Sequence, residues 1–268
     1  MTSASDLSAC AVDVAREAGK QIMASLPLGR WREDIQQKAG RELVSRVDRE
    51  SEALIVRRIL SEFPDHGIMA EEGSSHGDED SSHRWVIDPL DGTTNFLHGL
   101  PIFAVSLAAQ ERGDDGFATQ AAVVHLPYLG EMFVAEKGGG AWLNSQSIQL
   151  RASTCENLAE ALVVTGFSYD RERYPNYDRF VRVARAAGGI RRTGAAAADL
   201  AWVAAGRFDA YWELGLQPWD VAAGALLVSE AGGEVSDIAG GNAWHSGESI
   251  VAGSPKLVGV LRALVADP

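Results

Sequence analysis

The chain has 268 residues, of which 46% are hydrophobic, and this is enough to bury a sizeable core in one large domain or two closely packed lobes. Lys and Arg total 24 against 37 Asp and Glu, so the formal net charge is −13. Such an acidic balance argues against a nucleic-acid partner and against an anionic membrane surface. An anionic substrate would need local positive charge, which bound metal ions could supply.

The cysteines and the N-terminal segment favour a cytoplasmic protein. Cys10 and Cys155 occur without a CxxC pair or a zinc-type cluster, which is typical of core thiols in a reducing compartment. The N-terminus carries Asp6 and Asp13 where a signal peptide would have a basic stretch followed by an apolar one. No apolar run approaches the roughly 18 residues that a membrane-spanning helix needs.

The first part of the chain predicts two helices and a short strand. Apolar residues recur at spacings of three and four over residues 7–22 and again over 48–63, so we expect two helices that pack together on a sheet. Residues 67–70 form a strand-like run that leads to Glu71 and Glu72. The polar segment 73–84 is expected to be a mobile loop.

The remaining elements change character near residue 140. Before it, strands are predicted at 103–110, 119–125 and 131–137, and Gly138-Gly139-Gly140 is interpreted as a hairpin or hinge rather than a phosphate cradle. After it, strands at 161–165, 208–213 and 249–252 alternate with helices at 177–185, 195–205, 219–231 and from Pro255 onward. This order predicts an α/β fold with two lobes, about 1–150 and 151–268.

Residues 85–96, WVIDPLDGTTNF, carry the strongest chemical signal. An apolar run suited to a strand leads into Asp88 and Asp91, and Gly92 and Thr93 begin a plausible helix. Carboxylates beside the backbone N–H groups of a helix N-terminus place cation ligands next to an anion site. A proline between the two aspartates permits a sharp turn, and the Leu90 carbonyl is a candidate third oxygen ligand.

Two further carboxylates could complete a metal site, namely Glu71 at the end of a strand and Asp220 at the start of a helix. Four carboxylates within about 4 Å of one another would repel by about 4 kcal/mol per pair at an effective dielectric near 20, so cations would have to accompany them. Each acid taken singly could be a helix cap, a favourable charge at a helix N-terminus or part of a solvated loop. Together they predict metal-assisted phosphate chemistry.

These segments resemble the Mg²⁺-dependent, lithium-sensitive inositol monophosphatase family. The resemblance rests on residues 85–101 (WVIDPLDGTTNFLHGLP), residues 219–233 (WDVAAGALLVSEAGG) and the MAEEG run at 69–73, and it covers almost the whole chain. It implies one catalytic domain over residues 1–268, built of alternating α-β-α-β-α layers. It also implies a homodimer.

The resemblance also implies a set of metal ligands. Glu71, Asp88 and the Leu90 carbonyl would hold one Mg²⁺, while Asp88, Asp91 and Asp220 would hold a second. A third, looser ion would lean on Glu71, which gives two to three ions in all. Asp91 and Asp220 would also belong to the substrate-binding residues.

The implied catalytic groups follow the same segment. Thr93, hydrogen-bonded to Asp48, would act with Glu71 to orient and deprotonate the attacking water. The backbone N–H groups of Gly92 and Thr93 would bind the phosphate. Attack in line with the leaving alcohol would then release inorganic phosphate without a covalent intermediate.

For the alcohol portion, the resemblance implies that Glu213 hydrogen-bonds substrate hydroxyls and that Gly194, Ala195 and Ala196 bring backbone against the ring. Many members have Ser or Thr at the position of Ala195. The chain also departs from the family at Glu42-Leu43-Val44, where Asp-Leu-Val is common, and at Lys38, whose spacing to that segment is shorter. Loop residues 167–176 are expected to help select the substrate.

Inositol 1-phosphate is the first substrate that the resemblance implies, and histidinol phosphate is the leading alternative. Fructose 1,6-bisphosphate, adenosine 3′,5′-bisphosphate and NADP are the other family substrates to consider. A non-catalytic interaction protein on the same fold is an alternative of another class, which the complete set of metal ligands disfavours. His76 and His83 are interpreted as solvated loop residues, and Arg191-Arg192 as a surface pair or as contacts to a second anionic group or a neighbouring subunit.

Overall fold

The structure is a computed structural model that describes residues 2–26, 36–37, 43–77, 81–144 and 147–266. For residues 36–37 and 43–44 the backbone alone is described. The sequence departures noted at Lys38 and Glu42 lie outside the described residues.

The predicted helices are all present, with ends that differ from the prediction by a few residues. Ser3 and Ser45 cap the first two helices, each with an aspartate three residues later that completes a capping box. The helices are α1 (Ala4–Ala24), α2 (Arg46–Glu62), α3 (Thr93–Leu97), α4 (Tyr177–Ala186), α5 (Ala196–Ala204), α6 (Pro218–Glu230) and α7 (Pro255–Val265).

The strands form a short two-stranded pair, an eight-stranded sheet and a five-stranded sheet. Short 3₁₀ turns at Leu158–Glu160 and Ala243–Ser246 join some of them. The strands are β1 (Gln36–Gln37), β2 (Leu43–Val44), β3 (Gly67–Ala70), β4 (Ser75–His76), β5 (His83–Asp91), β6 (Ala104–Gly113), β7 (Gly116–Leu126), β8 (Glu131–Glu136), β9 (Gly140–Leu143), β10 (Ile148–Gln149), β11 (Leu162–Thr165), β12 (Gly189–Arg191), β13 (Ala210–Leu214), β14 (Glu234–Ser236) and β15 (Ser249–Gly253).

The eight-stranded sheet has the order β10-β9-β8-β7-β6-β5-β3-β4, and it is antiparallel except where β3 pairs with β5. Successive side chains of a strand point to opposite faces, and β5 shows this clearly. Trp85 and Ile87 belong to the core formed with α1 and α2, whereas Val86 belongs to the core formed with α5 and α6. Both faces of the sheet are therefore covered by helices.

The five-stranded sheet has the order β12-β11-β13-β15-β14 and combines parallel and antiparallel pairs. Tyr211 of β13 packs into the core shared with α5 and α6, while Trp212 packs into the core shared with α4 and α7. The layers therefore run helix, sheet, helix, sheet, helix, as predicted. The division of one domain into lobes of about 1–150 and 151–268 stays a prediction.

The prediction of a loop over residues 73–84 is wrong at both ends. β4 pairs with β3 along the edge of the eight-stranded sheet, and His83 and Arg84 already belong to β5. Polar residues suit such a place, because an edge strand leaves side chains and part of its backbone in solvent. Residues 78–80 lie outside the described part of the chain.

Two smaller predictions have mixed outcomes. The glycine run at 138–140 forms the turn between β8 and β9, so the hairpin is confirmed. Cys10 is buried, as expected of a core thiol, but Cys155 is only half-buried and places its thiol near the Asn157 carbonyl. In the part of the chain that the structure describes, no helix is both long and apolar enough to cross a membrane.

Candidate active site

A cavity of about 490 Å³ opens where the end of β5 meets β13 and the N-termini of α3, α5 and α6. Sequence reasoning had selected twelve site residues, and all but one line this cavity. The exception is Asp48, which lies one hydrogen bond behind the wall. The lining residues among the twelve are Glu71, Asp88, Leu90, Asp91, Gly92, Thr93, Gly194, Ala195, Ala196, Glu213 and Asp220.

A β-bulge places the two aspartates of β5 on the same side. Asp88 pairs with Ser106 and Asp91 with Ala104, so two residues of β5 oppose the single Val105 of β6. Residues three apart on a regular strand would face opposite sides, and the extra residue reverses that outcome. The Leu90 N–H donates to Asp88 Oδ1 over 3.0 Å and steadies the bulge.

Asp91 joins the eight-stranded sheet to the N-terminus of α5. Its carboxylate accepts the backbone N–H groups of Ala196, Ala197 and Ala198 at 3.1, 2.9 and 3.3 Å. Burial raises the pKa of Asp91 to about 6, while these three donors act to lower it. The Ala196 N–H is therefore engaged by Asp91, while Gly194, Ala195 and Ala196 all line the cavity.

The acids around Asp91 repel one another. Burial raises the pKa of Asp88 well above its usual range, and the charges of Glu71, Asp91 and Asp220 raise it further. Burial and then Asp91 raise the pKa of Asp220 in the same way, although the Gln217 N–H donates to it over 2.7 Å and lowers it. Buried carboxylates in such a group are stabilised when cations bind between them.

The donor set suits a hard divalent cation. Carboxylate and carbonyl oxygens are the ligands that Mg²⁺ prefers, and this wall of the cavity offers four carboxylates and the Leu90 carbonyl. As placed, no three His, Cys, Asp or Glu side chains of the described ranges converge into a metal cage. Backbone N–H groups donate to Asp88, Asp91 and Asp220, and these bonds involve one carboxylate oxygen each of Asp88 and Asp220, which leaves acceptor sites for an ion.

Glu71 follows β3, which runs parallel to β5 and ends beside it. The Glu71 N–H donates to the Ile87 carbonyl over 3.1 Å. Glu52, buried on α2, accepts the N–H groups of Glu72 and Ser74 at 2.7 and 2.9 Å and fixes the chain after Glu71. Sequence reasoning missed Glu52, whose signal is an acidic residue on the buried face of a helix.

The predicted hydrogen bond between Thr93 and Asp48 is present. The Thr93 hydroxyl donates to Asp48 Oδ1 over 2.7 Å, and Asp48 is fully buried. The Ser45 N–H donates to the other carboxylate oxygen over 2.9 Å, because Asp48 completes the cap of α2. Burial raises the pKa of Asp48, while the bonds from Ser45 and Thr93 lower it.

Gly92 occupies a position that only glycine fits. Its φ is +84°, and a Cβ there would lie 2.9 Å from the Ile102 carbonyl oxygen and 3.1 Å from the Ala195 Cβ. The turn therefore brings the start of α3 against the start of α5. Gly92 and Thr93 both line the cavity, as their predicted role in phosphate binding requires.

Glu213 lies at the opposite side of the cavity on β13. The Tyr211 hydroxyl donates to it over 2.8 Å, and a Cβ on Gly166 would come within 2.0 Å of its carboxylate. Burial raises the pKa of Glu213 to about 7, while Tyr211 and Arg192 act to lower it. Tyr211 stands two residues before Glu213, but sequence reasoning gave it no role, and it missed Gly166, which belongs to a distant segment of the chain.

Arg191 and Arg192 take different positions, although the sequence suggests a pair. Arg192 lines the cavity, whereas Arg191 is exposed and bonds the carbonyl of the preceding residue. The loop expected to select the substrate contributes Tyr169, Arg173 and Tyr174, among others, to the cavity wall. The hydroxyl groups of Tyr169 and Thr94 lie 3.4 Å apart beside it.

His76 and His83 do not line this cavity. His76 Nε2 lies 3.3 Å from the Pro64 carbonyl oxygen, and the His83 ring stacks on His66 with a centroid separation of 4.8 Å. Their interpretation as loop residues is corrected, since both belong to strands of the eight-stranded sheet.

Comparisons with known proteins agree with this geometry. The chain is 43% identical over 259 residues to the Nus factor SuhB of Escherichia coli (strain K12), covering 96% of this chain and 94% of that relative. The crystal structure of extragenic suppressor protein suhB from Bartonella henselae superposes with a TM-score of 0.88 at 37% identity, over 96% of this chain and 97% of that one. The inositol monophosphatase of Anabaena (Nostoc) sp. gives a TM-score of 0.81 at 36% identity, over 94% and 93%. The family model described as "Inositol monophosphatase family" matches residues 3–267, and the chain belongs to that family.

Proposed function

We propose that the chain is a Mg²⁺-dependent phosphomonoesterase that hydrolyses a small polyol phosphate, first of all inositol 1-phosphate to inositol and phosphate. The observation that carries this proposal is the cluster of Glu71, Asp88, Asp91 and Asp220, whose burial and mutual repulsion raise the pKa of its aspartates. Mg²⁺, when bound, would acidify a water and neutralise charge on the phosphoryl and leaving oxygens.

The ligands divide between two ions as the family resemblance implies. Glu71, Asp88 and the Leu90 carbonyl would hold one, and Asp88, Asp91 and Asp220 the other, while a third would lean on Glu71. The charge of Glu71 raises the pKa of Asp88, as expected of two carboxylates close enough to share an ion. The bulge in β5 supports the shared role of Asp88, because it turns Asp88 and Asp91 to the same side.

Thr93 and Asp48 would prepare the attacking water. A hydroxyl has one proton to donate, and Thr93 directs it to Asp48, with the Leu90 carbonyl at 3.2 Å as the alternative acceptor. The Thr93 oxygen is then an acceptor for a proton of the water. Asp48 can receive a proton passed through Thr93, because burial raises the pKa of its carboxyl group.

Glu213 would bind the alcohol portion. With a pKa of about 7, it accepts a hydrogen bond from a substrate hydroxyl when ionised and donates one when protonated. Inositol offers several hydroxyls for such contacts. Histidinol phosphate is the alternative substrate, because its amino group would pair with an ionised Glu213.

Phosphate release from inositol 1-phosphate with increasing Mg²⁺ tests the proposal, together with the variant Asp91→Asn. We expect the variant to lower turnover at saturating Mg²⁺ by about 10⁴-fold, as removal of essential catalytic groups does. The amide keeps one oxygen for the N–H groups of α5, so circular dichroism should show a folded protein. Asp114→Asn, which changes an exposed residue, is the control. Full turnover by Asp91→Asn would overturn the metal-site assignment.

The substrate is tested separately with a panel. Inositol 1-phosphate, histidinol phosphate, fructose 1,6-bisphosphate, adenosine 3′,5′-bisphosphate and NADP are compared by kcat/KM at one Mg²⁺ concentration. A clear preference for inositol 1-phosphate supports the first assignment, and a preference for histidinol phosphate supports the alternative. Glu213→Gln should raise KM for the preferred substrate more than it lowers kcat, because Glu213 contacts the alcohol portion.

A second candidate function is suggested by the names of relatives. Several, including the Pseudomonas aeruginosa protein at 44% identity over 255 residues, are called Nus factor SuhB. In this alternative the chain keeps the same fold but acts by binding a macromolecular partner. No phosphate release from any panel substrate at saturating Mg²⁺ would favour this second function.

The proposed cytoplasmic homodimer is tested in two ways. Light scattering of the purified chain measures the oligomeric state, and cell fractionation measures the location.

A further inference from the structure

A second cavity, of about 390 Å³, lies at the beginning of β5. It shares no lining residue with the cavity lined by Glu71, Asp88, Asp91 and Asp220, which we call the carboxylate cavity. Its wall includes Arg84 of β5, Arg112 of β6 and Phe117 of β7, with His76 of β4 at one side. We call it the arginine cavity. Its wall carries positive charge in a chain whose net charge is −13.

The strand register brings these side chains together on one face of the sheet. Arg84 is paired with Gln110, and Arg112, two residues further along β6, is paired with Phe117. On the other side of Arg84, β3 offers Gly67, which has no side chain to fill the space. A Cβ on Gly67 would lie 3.3 Å from the Arg84 Cβ. The cavity is therefore a gap in the side-chain layer, with arginines beside it.

The two guanidinium groups are held in place by Phe117, Gln110 and the Ser81 carbonyl. Arg84 and Arg112 lie 4.0 and 4.4 Å from the centroid of the Phe117 ring. Arg84 Nε donates to Gln110 Oε1 over 2.8 Å, and Arg112 Nε donates to the Ser81 carbonyl over 3.2 Å. Among the residues that the structure describes, neither arginine forms an ion pair, so their terminal N–H groups are available to a ligand.

The arginines also act on each other. Burial lowers the pKa of Arg84, and the charge of Arg112 lowers it further. Two like charges in a partly buried place repel, and an anion bound between them removes that repulsion. An anion with two negative charges matches them best, and planar guanidinium forks fit the oxygens of a phosphate group in a bidentate way.

We propose that the arginine cavity binds a phosphate dianion, either inorganic phosphate or the phosphate of a small phosphomonoester, between Arg84 and Arg112. The bound group accepts N–H donors from both guanidinium groups above the Phe117 ring, and His76 lies at the side of the site. This site requires no metal ion. It is separate from the cavity in which hydrolysis is proposed.

Isothermal titration of the full chain with inorganic phosphate tests this site, in EDTA so that no hydrolysis and no metal-dependent phosphate binding takes place. We expect saturable binding of one equivalent by the unaltered chain. Arg84→Gln and Arg112→Gln should each weaken it about tenfold or more, because a charge-assisted hydrogen bond is lost. Arg112→Lys should weaken it less, since it keeps the charge but not the fork.

The matched control is Arg16→Gln, which removes one exposed charge that is paired with Asp13 at 2.7 Å. It should bind phosphate as the unaltered chain does. Equal weakening by Arg16→Gln, or unchanged binding by Arg84→Gln and Arg112→Gln, would overturn the proposal. Circular dichroism and phosphate release in Mg²⁺ show that each variant is folded, because none of these arginines lines the carboxylate cavity.

One further titration identifies the source of the anion. Titration with phenyl phosphate distinguishes a phosphomonoester from inorganic phosphate, and tighter binding of either one supports the site with that source. No saturable phosphate binding by the unaltered chain overturns the proposal.

Discussion

The two ends of β5 carry opposite charges. The strand begins beside Arg84 and Arg112 and ends at Asp88 and Asp91. With the usual rise per residue of a β-strand, Arg84 and Asp91 are about 23 Å apart. At both ends burial shifts a pKa toward the neutral form, downward for Arg84 and upward for Asp91. Like charges therefore accumulate at each end, and each end is suited to a counterion of opposite sign.

The ends differ in how they are assembled. The acidic end collects Glu71 from the edge of one sheet, Asp88 and Asp91 from the bulge, and Asp220 from α6, which packs between the sheets. The arginine cavity uses neighbouring strands of a single sheet. The acidic end therefore depends on the packing of the layers, while the basic end depends mainly on strand register, with Gly77 and Ser81 of the segment between β4 and β5 completing the cavity wall.

Among the tests that compare the two ends of β5, the largest expected effect comes from Thr93→Val, which separates water positioning from cation binding at the acidic end. It removes the hydroxyl that donates to Asp48 over 2.7 Å and keeps the shape of the side chain. We expect kcat to fall by about 10²- to 10³-fold, in the range of acid–base contributions, with little change in the Mg²⁺ concentration for half-maximal rate. Thr93→Ser keeps the hydroxyl and should retain most activity. A large loss of Mg²⁺ affinity in Thr93→Val would contradict this division of roles.

The next effect tests whether the acidic end is stabilised by cations. In EDTA, Asp88→Asn should raise the melting temperature by about 2–4 °C if it relieves about 1 kcal/mol of repulsion. Saturating Mg²⁺, at 100 times its Kd, should stabilise the unaltered chain by about 2.7 kcal/mol and the variant far less. Scanning calorimetry with and without Mg²⁺ measures both.

Arg84→Gln is the matched control for that experiment, because it changes the other end of the same strand. Its Mg²⁺ response should equal that of the unaltered chain. An equal loss of the Mg²⁺ response in both variants would show that the two ends are not independent.

Local motifs were predictable from the sequence, and contacts between distant segments were not. The run through Asp88 and Asp91 indicated the metal ligands, because ligand types and their spacing stand in one segment. The bulge that turns both aspartates to one side depends on the partner strand β6, which the sequence does not pair. The contact of Asp91 with α5 spans more than 100 residues of the chain.

The arginine cavity could not be predicted for the same physical reason. Arg84 and Arg112 are separated by most of β5, by α3 and by most of β6, and Phe117 follows the next turn. A shift of one residue in either pairing would move these side chains to the opposite face. The helices and strands themselves were predictable, because apolar spacing is a property of each segment alone.

The smallest effect concerns His66, which stacks on His83 at the beginning of β5. It accepts the Trp85 Nε1–H at 3.1 Å, and burial followed by the charge of His83 lowers its pKa to about 4. In the unfolded chain His66 has an ordinary histidine pKa of about 6.5. Between pH 4 and 6.5 the unfolded chain therefore binds a proton at His66, and the folded chain does not. Stability contributed by neutral His66 is therefore present above pH 6.5 and is lost as the pH falls toward 4.

The variant His66→Gln keeps an acceptor for Trp85 but has no group that titrates in this range. Urea unfolding between pH 6.5 and 4 should therefore show that the variant loses less stability than the unaltered chain, by on the order of 1 kcal/mol. Identical pH dependence in both proteins would show that His66 is not protonated on unfolding.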